Sequence, residues 1–366
     1  MRATLAQECA RMFMVGFPGP APDEALRGLM KAGVFGAILF KRNLGPAKDV
    51  AALCRGLKQE ARRPFALAID QEGGRVARLR GGPFAAIPPM RVIGAGGRPR
   101  DEELAAQMGR LLALELRALG IDWDFAPILD VDTNPLNPVI GDRAFSRDPH
   151  VVARLGVALS QAMEMLGVAS CGKHFPGHGD TFQDSHLTLP HLPHSLERLR
   201  AVELVPFRAY AQAKLASLMT AHVVFDALDA EWPATLSDRV LEPLVRQELQ
   251  FEGVVVSDDL EMKAIADRYS VEEAAVRGAV AGVDLFLVCH HPAVQHRAIE
   301  ALVHGVESGR VPRTRIQQAN ARLSDLEARF VRPPEDRFHQ LGGSEHRALA
   351  KDLGAHDMLG HDPTEA

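Results

Sequence analysis

The densest concentration of reactive side chains in the sequence lies in the short segment 173–190, which reads KHFPGHGDTFQDSHLTLP. Its amine, imidazole and carboxylate groups belong to Lys173, His174, His178, Asp180, Asp184 and His186. An apolar run leads into the segment, and Pro176, Gly177 and Gly179 interrupt it, which predicts a strand that ends in a loop. Enzymes built on parallel barrels carry their reactive groups on loops that follow strands in this way.

Asp184 and His186 are separated by one residue, so their side chains are placed to act on each other. A carboxylate that holds one imidazole nitrogen leaves the other nitrogen available to transfer protons. An Asx-turn beside an exposed histidine explains the same Asp-Ser-His sequence, and these residues alone leave both interpretations open.

A second reactive position follows the apolar run 253–257, where Asp258 and Asp259 are adjacent. A carboxylate at a strand end is a candidate nucleophile when nearby donors keep it ionised. We favour Asp258 for this role, with Asp259 as the alternative. His222, inside another apolar run, is predicted to be a hydrogen-bonded histidine of the core.

Three cations, Arg78, Arg143 and Lys173, also fall at predicted strand ends or in the loops that follow them. Burial of such groups is costly unless they meet a polar ligand or a carboxylate. They are therefore candidates for substrate binding. Internal salt bridges to Asp70 or Asp142 are the structural alternative, and the two roles are compatible.

These groups need a scaffold that brings strand ends together, and the rest of the chain predicts one. The predicted strands are 12–16, 36–40, 65–70, 121–129, a fifth run ending at the segment above, 217–225, 253–257 and 283–289. The predicted helices are 23–31, 47–62, 102–119, 149–166, more than one around 196–213, 238–249, 271–281, 293–305 and 313–330. This alternation predicts an α/β protein with a single TIM-type (β/α)8 barrel over residues 1–330. A dinucleotide-binding fold would need a glycine-rich fingerprint, which residues 16–20 do not supply.

Composition narrows the class of partner. The chain has 366 residues, 46% of them hydrophobic, and a net charge of −5 without basic runs, which argues against nucleic acid. We see no export signal and no run of about 18 apolar residues, so we expect no membrane contact. The four cysteines lack metal or disulfide spacing and fit a reducing cytoplasm.

The carboxyl-terminal segment, residues 331–366, is polar and rich in proline, glycine and histidine. We predict that it is a loosely attached, partly disordered tail. Its histidines are expected to be exposed; they are His339, His346, His356 and His361.

Four motifs in order make the sequence resemble the NagZ-type β-N-acetylhexosaminidases of glycoside hydrolase family 3. They are DQEGGRVxR at 70–78, NPVIGDRAFS at 137–146, KHFPGHGDTxxDSH at 173–186 and SDDLxM at 257–262. Together they span most of residues 10–310, and the tail lies outside them.

The resemblance implies roles for individual residues. Asp258 matches the family's nucleophile, and His186 with Asp184 matches its acid/base dyad. The positions that hold the N-acetylglucosamine ring are matched by Asp70, Arg78, Arg143, Lys173 and His174. The implied reaction removes terminal β-linked N-acetylglucosamine with retention, through a covalent glycosyl-enzyme, and needs no cofactor or metal.

The resemblance also implies a small sugar or muropeptide substrate, and a cytoplasmic, monomeric enzyme of peptidoglycan recycling that acts on 1,6-anhydro-muropeptides. Phosphorolysis by the same residues is an alternative, because a neutral histidine base tolerates an anionic acceptor. A metal-dependent barrel hydrolase is a second alternative to this reaction. Its zinc ligands would be His174, His178, Asp180, His186 and Asp258. The third alternative is a barrel that binds sugar without catalysing a reaction.

Overall fold

The computed structural model describes residues 3–95, 100–185 and 187–353. Within this part of the chain one sheet contains eight parallel strands. In chain order they are β1 Phe13–Val15, β2 Gly36–Leu39, β3 Ala66–Ile69, β4 Trp123–Asp124, β5 Cys171–Phe175, β6 Ser217–Thr220, β7 Val254–Asp259 and β8 Leu285–Val288. The prediction of an α/β barrel is confirmed.

Strand pairing runs around the barrel in sequence order, and β1 also pairs with β8. The remaining seam, between β4 and β5, is closed by backbone hydrogen bonds. Asp124 N–H donates to Ala169 at 2.9 Å, and Lys173 N–H donates to Pro127 at 3.1 Å. Closure at this seam matters for the site because it places the segment that begins at Lys173 beside the loop after β4.

Strands β1, β2, β3 and β8 are short and contain no polar side chain, since the barrel interior covers one face and helices cover the other. Every residue of β2, β3 and β8 is buried. Parallel strands with both faces covered show continuous apolar runs of this kind rather than alternation.

Helices form the outer layer. They are α1 Leu5–Ala10, α2 Glu24–Ala32, α3 Ala47–Ala61, α4 Met90–Gly94, α5 Asp101–Leu119, α6 Pro149–Met165, α7 Leu196–Ala201, α8 Leu204–Gln212, α9 Asp238–Val240, α10 Lys263–Ala266, α11 Val271–Ala281, α12 Pro292–Glu307, α13 Arg313–Phe330 and α14 Ser344–Asp352. Short 3-10 turns occupy Lys41–Asn43, Gly141–Arg143, Ala234–Leu236 and Phe338–Gln340, and a π-helix occupies Leu241–Glu248. None of the described helices is both long and apolar enough to cross a bilayer.

The helix boundaries follow local signals. The Asp23 side chain accepts the Leu26 N–H at 2.8 Å to start α2, and Gly33, at φ 108°, ends it. Asp148 precedes α6, whose first residue is Pro149, a proline position that needs no backbone donor.

Three predicted elements differ from the structure. The run 121–129 is a strand only at β4, and it then bends so that residue Ile128 bridges to Lys173. The run 217–225 splits into β6 and a short strand, Val224–Phe225, which pairs with His191–Leu192. The helix 238–249 is mostly π-helix, and it contains Pro243, which lacks the backbone donor of a regular turn.

The expectation that the tail histidines are exposed is wrong for His346. This side chain is buried, 5% exposed, and its Nε2 lies 2.6 Å from Oε1 of Glu115 on α5. The residue pairs across 231 positions of sequence, so local polarity gave no indication of it. His339 is exposed, as expected. His356 and His361 lie outside the described residues, and the predicted boundary at residue 330 stays a prediction.

Candidate active site

A cavity of about 670 Å³ opens at the carboxyl ends of the strands. Seven residues singled out from the sequence line it together; they are Asp70, Arg143, Lys173, His174, His178, Asp258 and Asp259. They follow or end β3, β5 and β7 or lie in the loop after β4. Parallel strands deliver residues from distant parts of the chain to one face of a barrel in this way.

Lys173 is the centre of a buried charge network on one wall of the cavity. Its Nζ lies 2.7 Å from Asp70 Oδ1 and 2.7 Å from Glu72 Oε1. Burial alone would lower the pKa of Lys173, but these two carboxylates raise it above its ordinary value. The ammonium therefore stays charged although the side chain is only 2% exposed.

Glu72 links Lys173 to Arg143. The Arg143 Nε donates to Oε2 at 2.9 Å, and its Nη2 donates to Oε1 at 2.8 Å, in a bidentate pair. Burial opposes ionisation of Glu72, yet the two cations lower the pKa of its carboxyl well below the ordinary value. Asp142 pairs with Arg75 instead, so it is not the partner of Arg143.

Arg78 lies beside this network at the end of a small hairpin, residues 71–77. Its Nη2 is 4.0 Å from Asp70 Oδ2, and its side chain is buried. Gln71 fixes the hairpin, because its Oε1 accepts the N–H groups of Arg78 at 2.7 Å and Leu79 at 3.0 Å. Arg78 thus lies beside Asp70 at the edge of the charge network.

His174 is oriented by Asp130, a residue that the sequence interpretation missed. The imidazole Nδ1 lies 2.8 Å from Asp130 Oδ2, and the backbone N–H of His178 donates to Oδ1 at 2.6 Å. Burial opposes ionisation of Asp130, but His174 and these backbone contacts lower the pKa of its carboxyl. The signal that was available was its position, directly after the apolar run that contains β4.

His178 is a structural residue of the loop after β5. Its Nε2 is 2.9 Å from Ser185 Oγ, and its Nδ1 is 2.8 Å from Thr181 Oγ1. Burial lowers the pKa of His178 to about 4, so the ring is neutral near neutral pH. The contact with Ser185 joins the start of this loop to the residue that follows Asp184.

Of the two dyad residues, Asp184 is half-buried in this loop, and its carbonyl accepts the N–H of Leu187 at 3.0 Å. His186 lies outside the described residues. Its assignment as acid/base therefore stays a prediction from the sequence.

Asp258 and Asp259 have different surroundings at the end of β7. Both residues line the cavity; Asp258 is half-buried, and its Oδ1 accepts the Asp259 N–H at 2.8 Å. Asp259 Oδ1 accepts the backbone N–H groups of Glu261 at 3.1 Å and Cys289 at 3.2 Å, and its Oδ2 is 3.1 Å from His290 Nε2. Asp259 thus holds the ends of β7 and β8 together.

His222 is a buried core histidine, as predicted. Its Nδ1 lies 2.8 Å from Thr235 Oγ1, and its Nε2 lies 3.0 Å from the carbonyl oxygen of Asp259. Burial lowers the pKa of this ring. A neutral His222 accordingly supports the strand end that carries Asp258.

The proposed zinc ligands do not come together in the described part of the chain. The Thr133 hydroxyl donates to Asp180 Oδ1 at 2.8 Å, Asp180 Oδ2 lies 2.5 Å from His194 Nε2, and His178 contacts Ser185. Among residues 3–95, 100–185 and 187–353, no group of three His, Cys, Asp or Glu side chains has a metal-binding arrangement.

Comparison with known proteins agrees with this architecture. The family model described as Glycosyl hydrolase family 3 N terminal domain matches residues 4–326. A β-hexosaminidase from Thiobacillus denitrificans is 43% identical over 283 residues, which cover 76% of this chain and 78% of that protein.

Two solved structures are similar throughout the barrel. A glycoside hydrolase family 3 β-N-acetylglucosaminidase from Paenibacillus superposes with a TM-score of 0.89 at 41% identity, over 96% of this chain and 68% of that one. NagZ from Neisseria gonorrhoeae, in complex with N-trifluoroacetyl-D-glucosamine, superposes with a TM-score of 0.78 at 33% identity, over 93% and 96%.

Proposed function

The chain belongs to glycosyl hydrolase family 3, and from this premise we propose that it removes terminal β-linked N-acetylglucosamine with retention of configuration. The observation that carries the proposal is the position of Asp258. Its carboxylate lines the cavity at the end of β7, and β3, which leads to Asp70, is four strands away around the eight-stranded barrel. A sugar ring held by Asp70 and its partners would therefore lie between the two.

The ring is held by the charged wall of the cavity. Asp70, Lys173 and Arg143 offer acceptors and donors to sugar hydroxyls, and His174 is fixed by Asp130 beside them. Because Glu72 already balances Lys173 and Arg143, these cations keep their positions when the site is empty. Preorganisation of this kind lowers the cost of binding.

In the first step Asp258 attacks the anomeric carbon, and the bond from that carbon to the glycosidic oxygen breaks. His186, in its protonated form, gives its proton to the departing oxygen. In the second step His186 takes a proton from water, which attacks the same carbon and releases Asp258. Asp184 orients the imidazole and stabilises its charge. The usual retaining pair is two carboxyls, roughly 5–5.5 Å apart, and here a histidine–aspartate dyad takes the place of one.

The natural substrate we propose is a small N-acetylglucosaminyl compound, of which 1,6-anhydro-muropeptides from peptidoglycan recycling are the best match to the family resemblance. A cavity of about 670 Å³ has room for a sugar and part of its leaving group. We propose that the enzyme acts as a monomer in the cytoplasm, a compartment that suits its buried thiols.

Turnover of a chromogenic β-N-acetylglucosaminide tests the proposal. Asp258→Ala is expected to lower kcat by at least about 10³-fold, because it removes the nucleophile. Glu300→Ala, which removes a carboxylate from the exposed side of α12, is the matched control and should keep full activity. Absence of release by the wild type, or full activity of Asp258→Ala, would overturn the mechanism.

The same assay separates the alternatives. Free N-acetylglucosamine as the product in phosphate buffer supports hydrolysis, whereas a sugar 1-phosphate supports phosphorolysis. Activity that survives exhaustive treatment with a chelator excludes the zinc mechanism. Binding of the sugar without release of the chromophore is the result that a sugar-binding barrel would give.

A further inference from the structure

The carboxyl-terminal segment contacts the barrel at several points, and one of these contacts is a buried polar pair. Its helix α14 lies beyond residue 326, where the match to the family model ends, and it packs against α5. The link is between His346 Nε2 and Glu115 Oε1, at 2.6 Å, and the Glu115 side chain is fully buried. The sequence interpretation assigned no role to either residue.

Glu115 connects this pair to a loop of the barrel. The same Oε1 accepts the backbone N–H of Ala85 at 2.7 Å. Its Oε2 has no hydrogen-bond partner among the described residues. A carboxylate buried with so few donors depends on each of them, so His346 and Ala85 hold Glu115 in place together.

The loop that contains Ala85, residues 81–89, forms the outer support of the hairpin 71–77. Gly74 N–H donates to the Ile87 carbonyl at 2.9 Å. A Cβ on Gly73, at φ 97°, would lie 2.6 Å from the Pro88 carbonyl oxygen, which shows how closely the two backbones approach.

The hairpin in turn carries Glu72, which holds Arg143 and Lys173, and it leads directly into Arg78. A path of hydrogen bonds and tight backbone contacts therefore joins the carboxyl-terminal helix to the charged wall of the cavity.

We propose that His346 is a positioning residue for sugar binding, and that it acts through Glu115 and the loop 81–89 on the hairpin 71–77. The inference deepens the proposed function and rests on it, because the wall positioned by the hairpin is the one assigned to the sugar. His346 does not touch the substrate. Its loss weakens binding of the ring and leaves the nucleophile Asp258, on the other side of the barrel, in place.

Kinetics of two substitutions test this role. His346→Phe keeps a ring but has no donor, and it is expected to raise KM roughly three- to tenfold with kcat within about twofold of wild type. His346→Gln, whose amide can donate to Glu115, should recover most of the loss. Glu345→Gln, on the exposed side of α14, is the control and should match wild type. An unchanged KM in folded His346→Phe, or a fall in kcat alone, would overturn the proposal.

Ala85→Pro provides an independent variant if His346→Phe does not fold. It removes the Ala85 N–H that Glu115 accepts and leaves α14 intact. The same rise in KM is expected. A wild-type KM in this variant would contradict the path through the loop.

Hydrogen exchange separates this inference from the proposed function, because it requires no substrate. In His346→Phe, peptides that cover residues 71–78 and 81–89 should exchange faster, and those that cover β7 should not. Unchanged exchange in the hairpin would disprove the inference even if the wild type cleaves the sugar. Faster exchange in an enzyme that does not cleave the sugar would keep the structural path and reject the function.

Discussion

At the scale of single residues, Glu72 holds the two buried cations of the site in place. It is 1% exposed, and it accepts hydrogen bonds from both Arg143 and Lys173. A buried carboxylate between two cations is retained only if all partners remain, since any one of them alone would be an unpaired buried charge.

Glu72→Gln is therefore expected to destabilise the fold by about 3–5 kcal/mol and to raise KM more than it lowers kcat. The amide cannot balance two positive charges, so Arg143 and Lys173 would move apart. Urea unfolding and steady-state kinetics measure the two effects. Asp142→Asn is the matched control: it weakens the more exposed pair with Arg75, for which we expect about 1 kcal/mol or less. Equal effects of the two substitutions would contradict this account of Glu72.

His178 makes a separate, pH-dependent contribution to the stability of the fold. Burial lowers the pKa of its folded-state ring to about 4, whereas the unfolded value is about 6.5. The unfolded chain thus binds more protons between these values, and stability is expected to fall as pH decreases from about 6.5 to 4.

The size of this effect is about 1.4 kcal/mol per pH unit, or about 3 kcal/mol in total. His178→Gln removes the titrating ring, so its free energy of unfolding should decline less over the same interval. Denaturant unfolding at a series of pH values measures the difference. Parallel curves for the wild type and the variant would show that His178 is not the titrating group.

At the scale of elements, the site depends on the loops after β4 and β5 being pressed together. Gly179 permits this close contact between the two loops, since a Cβ at this position would lie 1.8 Å from the carbonyl oxygen of Val131. A hydrogen bond also joins the same two loops: Asn137 Nδ2 donates to the His178 carbonyl at 2.8 Å. Separation of the loops would move His174 away from Asp130.

Gly179→Ala is expected to lower activity and to cost about 1–3 kcal/mol of stability, because the added methyl group meets backbone that cannot move aside cheaply. Gly45→Ala is the control, since a Cβ there meets nothing within 4 Å. Thermal unfolding and turnover of the chromogenic glycoside give the comparison. Wild-type behaviour of Gly179→Ala would mean that the loops are free to separate.

At the scale of the whole molecule, a closed barrel with a continuous hydrophobic core buries every cysteine. Cys9, Cys54, Cys171 and Cys289 are free thiols and at most 1% exposed. Burial raises the pKa of Cys54 and of Cys171 to about 12, so little thiolate is present near neutral pH. Burial therefore protects these thiols from reagents in two ways: it blocks access to the sulfur, and it keeps the thiol protonated.

Labelling with a thiol-specific disulfide reagent should be slow in the native protein and should proceed no faster than the barrel opens. In denaturant the four thiols per chain should react rapidly. Fast modification of any thiol under native conditions would show that part of the barrel opens without global unfolding.

The sequence by itself determined the barrel and several of the charged residues that line the cavity. Continuous apolar runs alternate with helical patterns, and residues such as Asp70, Lys173 and Asp258 come directly after the runs or at their ends. These are local signals, because the strand end that a residue occupies follows from its immediate neighbours. Motif order then pointed to the family to which the chain belongs.

Only the tertiary structure decided which charges meet. Glu72 pairs with Arg143 across 71 residues, His174 pairs with Asp130 across 44, and His346 reaches Glu115 across 231. Such pairs have no sequence period, because they depend on closure of the barrel and on the packing of loops and helices around it. The different surroundings of Asp258 and Asp259 likewise follow from the neighbouring strand β8. The residue after this strand, Cys289, donates its backbone N–H to Asp259.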